Sequence, residues 1–166
     1  MMHNRSWEHL DKVANIGETY VMYKLATLGI RSQKMLVFND YDLLAGNGAR
    51  IEVKTSTIQS VVDKRRKKHY ERKFWSFTNN IEKWKFDNGN ISKSYCKRDR
   101  DCDFFVLVCL DNKCNIIKCF IVPKKFVGTT TVITIPLVNK KFNKRSVRDY
   151  EGKWNLIKDF TTKVQK

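Results

Sequence analysis

The sequence predicts a mixed α/β (α+β) fold, with a central mixed β-sheet flanked by helices. Three stretches carry that expectation. Residues 7–28 repeat apolar side chains at steps of three and four, the period of an amphipathic helix. Residues 39–54 read as two short strands joined by Gly46-Asn47-Gly48, a strong hairpin signal. Residues 104–110 form a nearly continuous apolar run, as a strand buried on both faces requires.

In the opening helix Ala14, Glu18, Val21, Met22, Leu25 and Leu28 form one stripe, and Gly29 stops it. Glu18 is the misfit, because a buried carboxylate is costly unless it is paired or binds a metal. The plainer alternative places Glu18 at the edge of the stripe, paired with one of the many lysines. Residues 34–38 are expected to form a first strand running into the hairpin. After the hairpin come Thr55-Ser56-Thr57, an apolar stretch over 58–62, and a basic run over 63–69 followed by Tyr70, Phe74, Trp75 and Phe77. Residues 74–78 read as a further strand. Residues 79–100 are polar, with Asp87-Asn88-Gly89-Asn90 as a turn, and read as a surface excursion. Following the 104–110 strand, Asp111-Asn112 turns the chain and 115–122 runs back as its hairpin partner. Residues 123–127 make a short turn or helical piece that Gly128 ends. The β-branched stretch 129–138 gives a last strand. A closing helix is expected over 150–164, with Trp154, Ile157 and Phe160 available for packing.

The length of 166 residues suits a single domain, 1–166, with its core at about 7–138. A net charge of +16 is large for that length and points to a polyanionic partner. The five cysteines include no Cys-x-x-Cys pair, which fits reduced thiols in a cytoplasmic, intracellular protein better than a disulfide frame. Cys96, Cys102 and His69 match no common zinc-ligand spacing. No apolar run reaches the length of a membrane span, and the N-terminus lacks a signal-peptide core, so no membrane partner is expected.

The chemistry concentrates in the hairpin. Reflection about Asn47 sets Asp42 opposite Glu52 and Asp40 opposite Lys54. Facing carboxylates repel across a hairpin. A divalent cation between them reverses the sign of the interaction. Lys54 shares a strand face with Glu52, since strand side chains alternate with period two. Hydrolysis of a phosphodiester needs an activated water, neutralised phosphoryl charge and a stabilised leaving group. Asp42 and Glu52 would supply carboxylate ligands to Mg²⁺ and the Val53 carbonyl a third. Lys54 would hold the attacking water or stabilise the developing charge. Glu18 would ligand a second metal directly or through water.

Gly17-Glu18 on the first helix, Asp42 on a strand, and Glu52-Val53-Lys54-Thr55-Ser56 on the next resemble the PD-(D/E)xK, or restriction-endonuclease-like, nucleases. The resemblance is closest to archaeal-type Holliday junction resolvases and to small restriction or homing endonucleases of that superfamily. It implies an αβββαβ core, matching the elements read through about residue 122. It also implies Glu18, Asp42 and Glu52 as the acidic residues of a Mg²⁺ site (with Mn²⁺ able to substitute) and Lys54 as the catalytic lysine. The chain departs from the family at Tyr41, where the namesake has proline, a residue whose role there is conformational.

The expected function is therefore Mg²⁺-dependent DNA endonuclease, acting as a homodimer because two-strand cutting by a small single-site domain needs two symmetry-related sites. Phosphate contacts are assigned to Lys64, Arg65, Arg66, Lys67, Lys68, Arg72 and Lys73, and further DNA contacts to Lys97, Arg98 and Arg100 in the excursion. Plain solvation is the alternative for the basic run. The 79–100 excursion exceeds what a minimal junction resolvase needs and offers base-edge readers, which favours sequence-specific double-strand cleavage. A resolvase acting on branched DNA, and a non-catalytic DNA-binding module on the same fold, are the competing readings.

Overall fold

The computed structural model describes residues 7–36, 40–63, 70–87, 90–97, 101–128, 130, 132–138 and 146–161. Helix α1 (Trp7–Thr27) leads into β1 (Ser32–Lys34), β2 (Leu43–Ala45) and β3 (Arg50–Thr57). Next come β4 (Gln59–Asp63), β5 (Tyr70–Thr78), β6 (Asn80–Asp87) and β7 (Asn90–Lys97). They are followed by β8 (Phe104–Leu110), β9 (Ile116–Pro123), the single-turn α2 (Lys124–Val127) and β10 (Val132–Pro136). A 3-10 turn (Val147–Tyr150) and one turn of helix, α3 (Asn155–Lys158), follow.

The central sheet is mixed and five-stranded, ordered β1-β2-β3-β8-β9. Only the β3/β8 pairing is parallel, from Ile51↔Phe104 to Thr57↔Leu110. All of β8 is buried, as its apolar run requires. One face of the sheet packs on α1 and α3 through Val21, Leu25, Ile51, Val53, Val106, Ile121 and Ile157. The other face is covered by α2 and a second sheet, β10-β5-β4, through Trp75, Phe77, Ile133 and Ile135 against Phe105, Leu107 and Phe120. Each fully buried side chain of this size contributes about 1.5–3 kcal/mol. The Trp75 indole N–H donates to the Leu110 carbonyl at 2.8 Å, so the one polar atom of that ring is satisfied inside the apolar layer. Where an αβββαβ order places a helix between β3 and β8, the described chain runs through strands.

Several sequence expectations change. The first described strand is Ser32–Lys34, paired with β2 at Ser32↔Ala45 through Lys34↔Leu43; of the expected 34–38, Met35 and Leu36 lie outside it and 37–38 lie outside the described residues. Leu36 is left 76% exposed, so apolar content alone misplaced that strand. The excursion contains a two-stranded antiparallel ribbon, β6–β7, running from Asn80↔Lys97 to Asp87↔Asn90, and Asn88 and Gly89 of the expected turn lie outside the described residues. The closing helix is interrupted: the 3-10 turn and α3 flank Gly152 at φ 64°, and 162–166 lie outside the described residues. Ile157 is nonetheless fully buried, with Trp154 and Phe160 packed beside it.

On α1 the buried stripe is Val13, Gly17, Val21 and Leu25, and Ala14 is exposed. Gly17 has a packing reason. A Cβ built there would lie 1.8 Å from Thr55 Oγ1, so only glycine lets α1 come this close to β3. Gly17→Ala is therefore expected to destabilise the protein by about 1–3 kcal/mol through overpacking, despite the ~1 kcal/mol that alanine adds to a helix interior. A lowered urea midpoint would register it, and Thr55→Ala in the same chain should restore most of the loss. An unchanged midpoint for Gly17→Ala alone would refute the close approach.

Candidate functional site

The hairpin positions the site. Its turn closes through the Gly48 amide on the Ala45 carbonyl (2.8 Å), with Gly48 at φ 86°, a conformation that favours glycine. Asn47 Nδ2 donates to the Ile157 carbonyl at 2.6 Å, tying the turn to the C-terminal segment. The observed register, Leu43↔Ile51 and Leu44↔Arg50, is the one that reflection about Asn47 gives. Regular pairing ends there. The Asp42 amide donates to the Ile51 carbonyl at 3.0 Å, the residue already opposite Leu43. The Asp42 carboxylate turns instead onto β3 and accepts from the Val53 amide at 2.7 Å. In an extended strand the N–H and C=O of one residue point to the same side, so the Val53 carbonyl faces the edge where Asp42 sits.

At its start β3 is locked to β8 by Arg50 and Asp103. The Arg50 guanidinium makes a two-pronged contact with the Asp103 carboxylate, 3.1 Å at both Nε and Nη2, and Nη1 reaches Asp101 at 2.5 Å. The Asp103 hydrogen bond, outweighing burial, raises the guanidinium pKa and keeps it charged. Sequence reading missed this pair, because its partners are 53 positions apart and meet only through the parallel register.

Glu52, Lys54 and Ser56 alternate onto the face toward the second sheet, where Ser56 Oγ accepts from the Ser76 amide. Glu52 is fully buried (0% exposed), opposite Phe105, and its Oε1 lies 2.5 Å from Lys54 Nζ. A carboxylate taken out of water costs several kcal/mol unless a partner charge or hydrogen bonds compensate. Lys54, itself only part-exposed, supplies one such charge. Ile51, Val53 and Thr55 face α1. Glu18 therefore lies on the opposite face of the sheet from Glu52, at the edge of the α1 stripe, paired with a lysine. That lysine is Lys34 of β1, whose Nζ is 2.6 Å from Glu18 Oε2 and 3.2 Å from Asn15 Oδ1. The Glu18 contact comes first in raising the Lys34 pKa, and the Asp42 charge adds to it. Lys34 thus stands within electrostatic reach of two of the acidic residues. No sequence signal marked it, since a lysine at a strand end is ordinary until the strand pairing is known.

The oxygens brought to this end of the sheet are carboxylates of Glu18, Asp42 and Glu52 and the Val53 carbonyl. That is the all-oxygen donor set a hard divalent ion takes. Among the described residues no three His, Cys, Asp or Glu side chains form a ready cage. An ion bound here would have to be held by two carboxylates, a carbonyl and water, the manner usual for Mg²⁺.

Of the residues assigned to DNA, Arg72 and Lys73 lie exposed on β5, with Lys73 Nζ 3.5 Å from Glu71. Lys97 ends β7 opposite Asn80. Lys64, Arg65, Arg66, Lys67, Lys68, Arg98 and Arg100 lie outside the described residues. Among the described cysteines, Cys102, Cys109, Cys114 and Cys119 are free thiols, and burial pushes Cys119 up to about 12. No described helix is long and apolar enough to cross a membrane.

Asp42 has a structural part that can be measured apart from any chemistry. Asp42→Ala should leave the Val53 N–H unsatisfied and cost about 1–3 kcal/mol in urea unfolding. Asp42→Asn, which keeps an acceptor oxygen, should cost clearly less. Equal losses would mean that the 2.7 Å bond to Val53 adds nothing to stability.

No family model and no curated protein match this chain. A solved structure does: I-Ssp6803I, a bacterial homing endonuclease, superposes with a TM-score of 0.56 at 18% identity over 89% of this chain and 91% of that one. At that identity the likeness is one of fold. It joins this five-stranded mixed sheet with flanking helices to an endonuclease-like architecture.

Proposed function

We propose that this chain is a metal-dependent DNA endonuclease that cuts duplex DNA at specific sequences. The observation that carries the reading is the buried Glu52 carboxylate with Lys54 two residues on, next to an Asp42 carboxylate held on the intervening Val53 amide. The fold likeness to a homing endonuclease and the +16 charge support it.

Asp42, Glu52 and the Val53 carbonyl would hold Mg²⁺, with Mn²⁺ as a substitute. When bound, the ion supplies charge neutralisation at the phosphoryl oxygens and makes a water acidic enough to attack near neutral pH. Asp42 is kept in place by the Val53 amide and Glu52 by the packed face of β3. Lys54 is a compact donor on a flexible stem. It turns from Glu52 to the attacking water or to the charge that develops on phosphorus. Water oxygen bonds to phosphorus, the bond to the leaving sugar oxygen breaks, and that oxygen takes a proton.

The ribbon β6–β7 favours sequence reading over junction shape. A two-stranded antiparallel ribbon is one of the elements that the major groove admits. Lys97 at its end, together with Arg98 and Arg100 outside the described residues, would join Arg72, Lys73 and the 64–68 basic run in contacting DNA. Cleavage of both strands would use a homodimer with two symmetry-related sites.

Lys54→Ala should abolish cleavage while DNA binding persists; retained cutting would remove Lys54 from the mechanism. EDTA should stop the wild-type reaction and Mg²⁺ restore it, and full activity in EDTA would sink the metal assignment. Parallel digests of long duplex DNA and a four-way junction should yield discrete duplex fragments. Resolved junctions alone would mark a resolvase, and binding without cleavage a non-catalytic module. Neutralising Lys64, Lys67 and Lys68 should flatten the salt dependence of binding by roughly 0.9 log unit per lost phosphate contact. An unchanged slope would return that run to solvated surface.

A further inference from the structure

We infer that a second copy of this chain docks on the outer side of α1, in the groove between that helix and the start of β9, with the two α1 helices antiparallel. The inference locates a contact between copies, which the nuclease reading leaves unplaced, and it stands whether or not the chain cuts DNA.

Two stripes run along α1. Val13, Gly17, Val21 and Leu25 are buried against the sheet. Glu8, Lys12, Ile16, Thr19 and Tyr23 recur at steps of four and three on another side, the spacing by which one helix packs along a second. Beside them lies a groove of about 920 Å³, whose other wall is Ile116, the first residue of β9. Tyr23 is 63% exposed and Ile116 38%. Large apolar side chains grouped in this way mark an interaction surface. Tyr20 is already fixed there, edge-to-face on Trp154 at 6.2 Å. Tyrosines suit such a surface, since they bring much contact area with few rotatable bonds to immobilise.

Charge decides the occupant. The chain carries +16, yet the carboxylates and ammonium that line this groove are Glu8, Asp11 and Lys12. Two negative charges against one positive repel a polyanion, so the groove does not suit nucleic acid. Two chains of +16 repel wherever their basic surfaces meet, and here the sign is locally reversed.

The groove is also complementary to itself. Its N-terminal half brings Glu8, Asp11 and Lys12, and its C-terminal half brings the neutral Thr19, Tyr20 and Tyr23. A two-fold axis that sets α1 antiparallel lays the charged half of each copy on the neutral half of the other, and makes every contact twice. Threonine and tyrosine hydroxyls then donate to the carboxylates, and Lys12 meets an aromatic face. Parallel helices would instead stack Glu8 on Glu8 and Lys12 on Lys12, which like charges oppose. Because α1 lies across the central sheet from Glu52 and Lys54, a copy seated here leaves the Glu52–Lys54 side of each sheet untouched.

The test is the mass of the full-length protein in sedimentation equilibrium, without DNA or metal, with circular dichroism confirming that each variant is folded. Wild type should be a dimer or a multiple of one, and Tyr23→Glu should halve its mass. Ile116→Glu, on the opposite wall, should do the same and decides the matter if Tyr23→Glu does not fold. Adding Glu8→Lys and Asp11→Lys to the Tyr23→Glu chain should restore the wild-type mass, because only the antiparallel arrangement sets those lysines against the new carboxylate. Val132→Glu, which alters an exposed valine of the second sheet, should leave the mass unchanged. A monomeric wild type at every concentration would overturn the inference, and so would a wild-type mass in folded Tyr23→Glu. Loss of assembly in Val132→Glu instead would place the contact elsewhere, and a triple variant that stays at half mass would refute the antiparallel pairing. Cleavage is assayed separately: a monomeric wild type that cuts DNA leaves the nuclease reading intact, and an assembled one that does not cut leaves this contact intact.

Discussion

The structure turns on a charged pair placed inside the central sheet. Strand β3 is covered on both faces, yet it carries Glu52 fully buried with Lys54 at 2.5 Å. Buried ion pairs are poor sources of stability, since desolvation can exceed the attraction regained. A strand built only for packing would place apolar residues at 52 and 54, as β8 does at every one of its positions. The rest of the sheet is arranged around this cost. Arg50 and Asp103 fix the register of β3 against β8, and Trp75 ties the covering sheet to the end of β8. The Asp42 carboxylate occupies the amide that β2 leaves at Val53.

The helix side is organised by one close approach. Gly17 against Thr55 brings α1 onto β3, and one residue further along the helix Glu18 meets Lys34. The sheet thus separates two carboxylate–lysine pairs, with Asp42 at the edge between them. That division lets a single end of a small sheet present acidic residues without leaving their mutual repulsion uncompensated.

Much of this was legible in the sequence. The α1 period, the Gly-Asn-Gly turn with its register, and the buried β8 run depend on local periodicity and turn chemistry, which a single sequence carries directly. The same signals drew attention to Glu18, Asp42, Glu52 and Lys54 before any contact was known. They failed where a strand is defined by its partner. The apolar residues after Lys34 suggest a strand that starts at 34, but pairing with β2 sets β1 at Ser32–Lys34 and leaves Met35 and Leu36 outside it. The polar, Asn- and Lys-rich 79–100 segment reads locally as a surface excursion, and its pairing as a ribbon depends on the register of β6 on β7. Gly152 broke what looked like one closing helix.

By itself, the sequence determined the elements with strong internal periods and the acidic residues and lysine grouped around one hairpin, because both are encoded in short stretches. Only the tertiary structure decided which charges meet. Glu18 finds Lys34 and not Glu52, because α1 and the buried carboxylate lie on opposite faces of the sheet. Arg50 finds Asp103 through a parallel crossover that no local pattern announces. Partners distant in sequence are chosen by sheet order and register, which are properties of the packed chain as a whole.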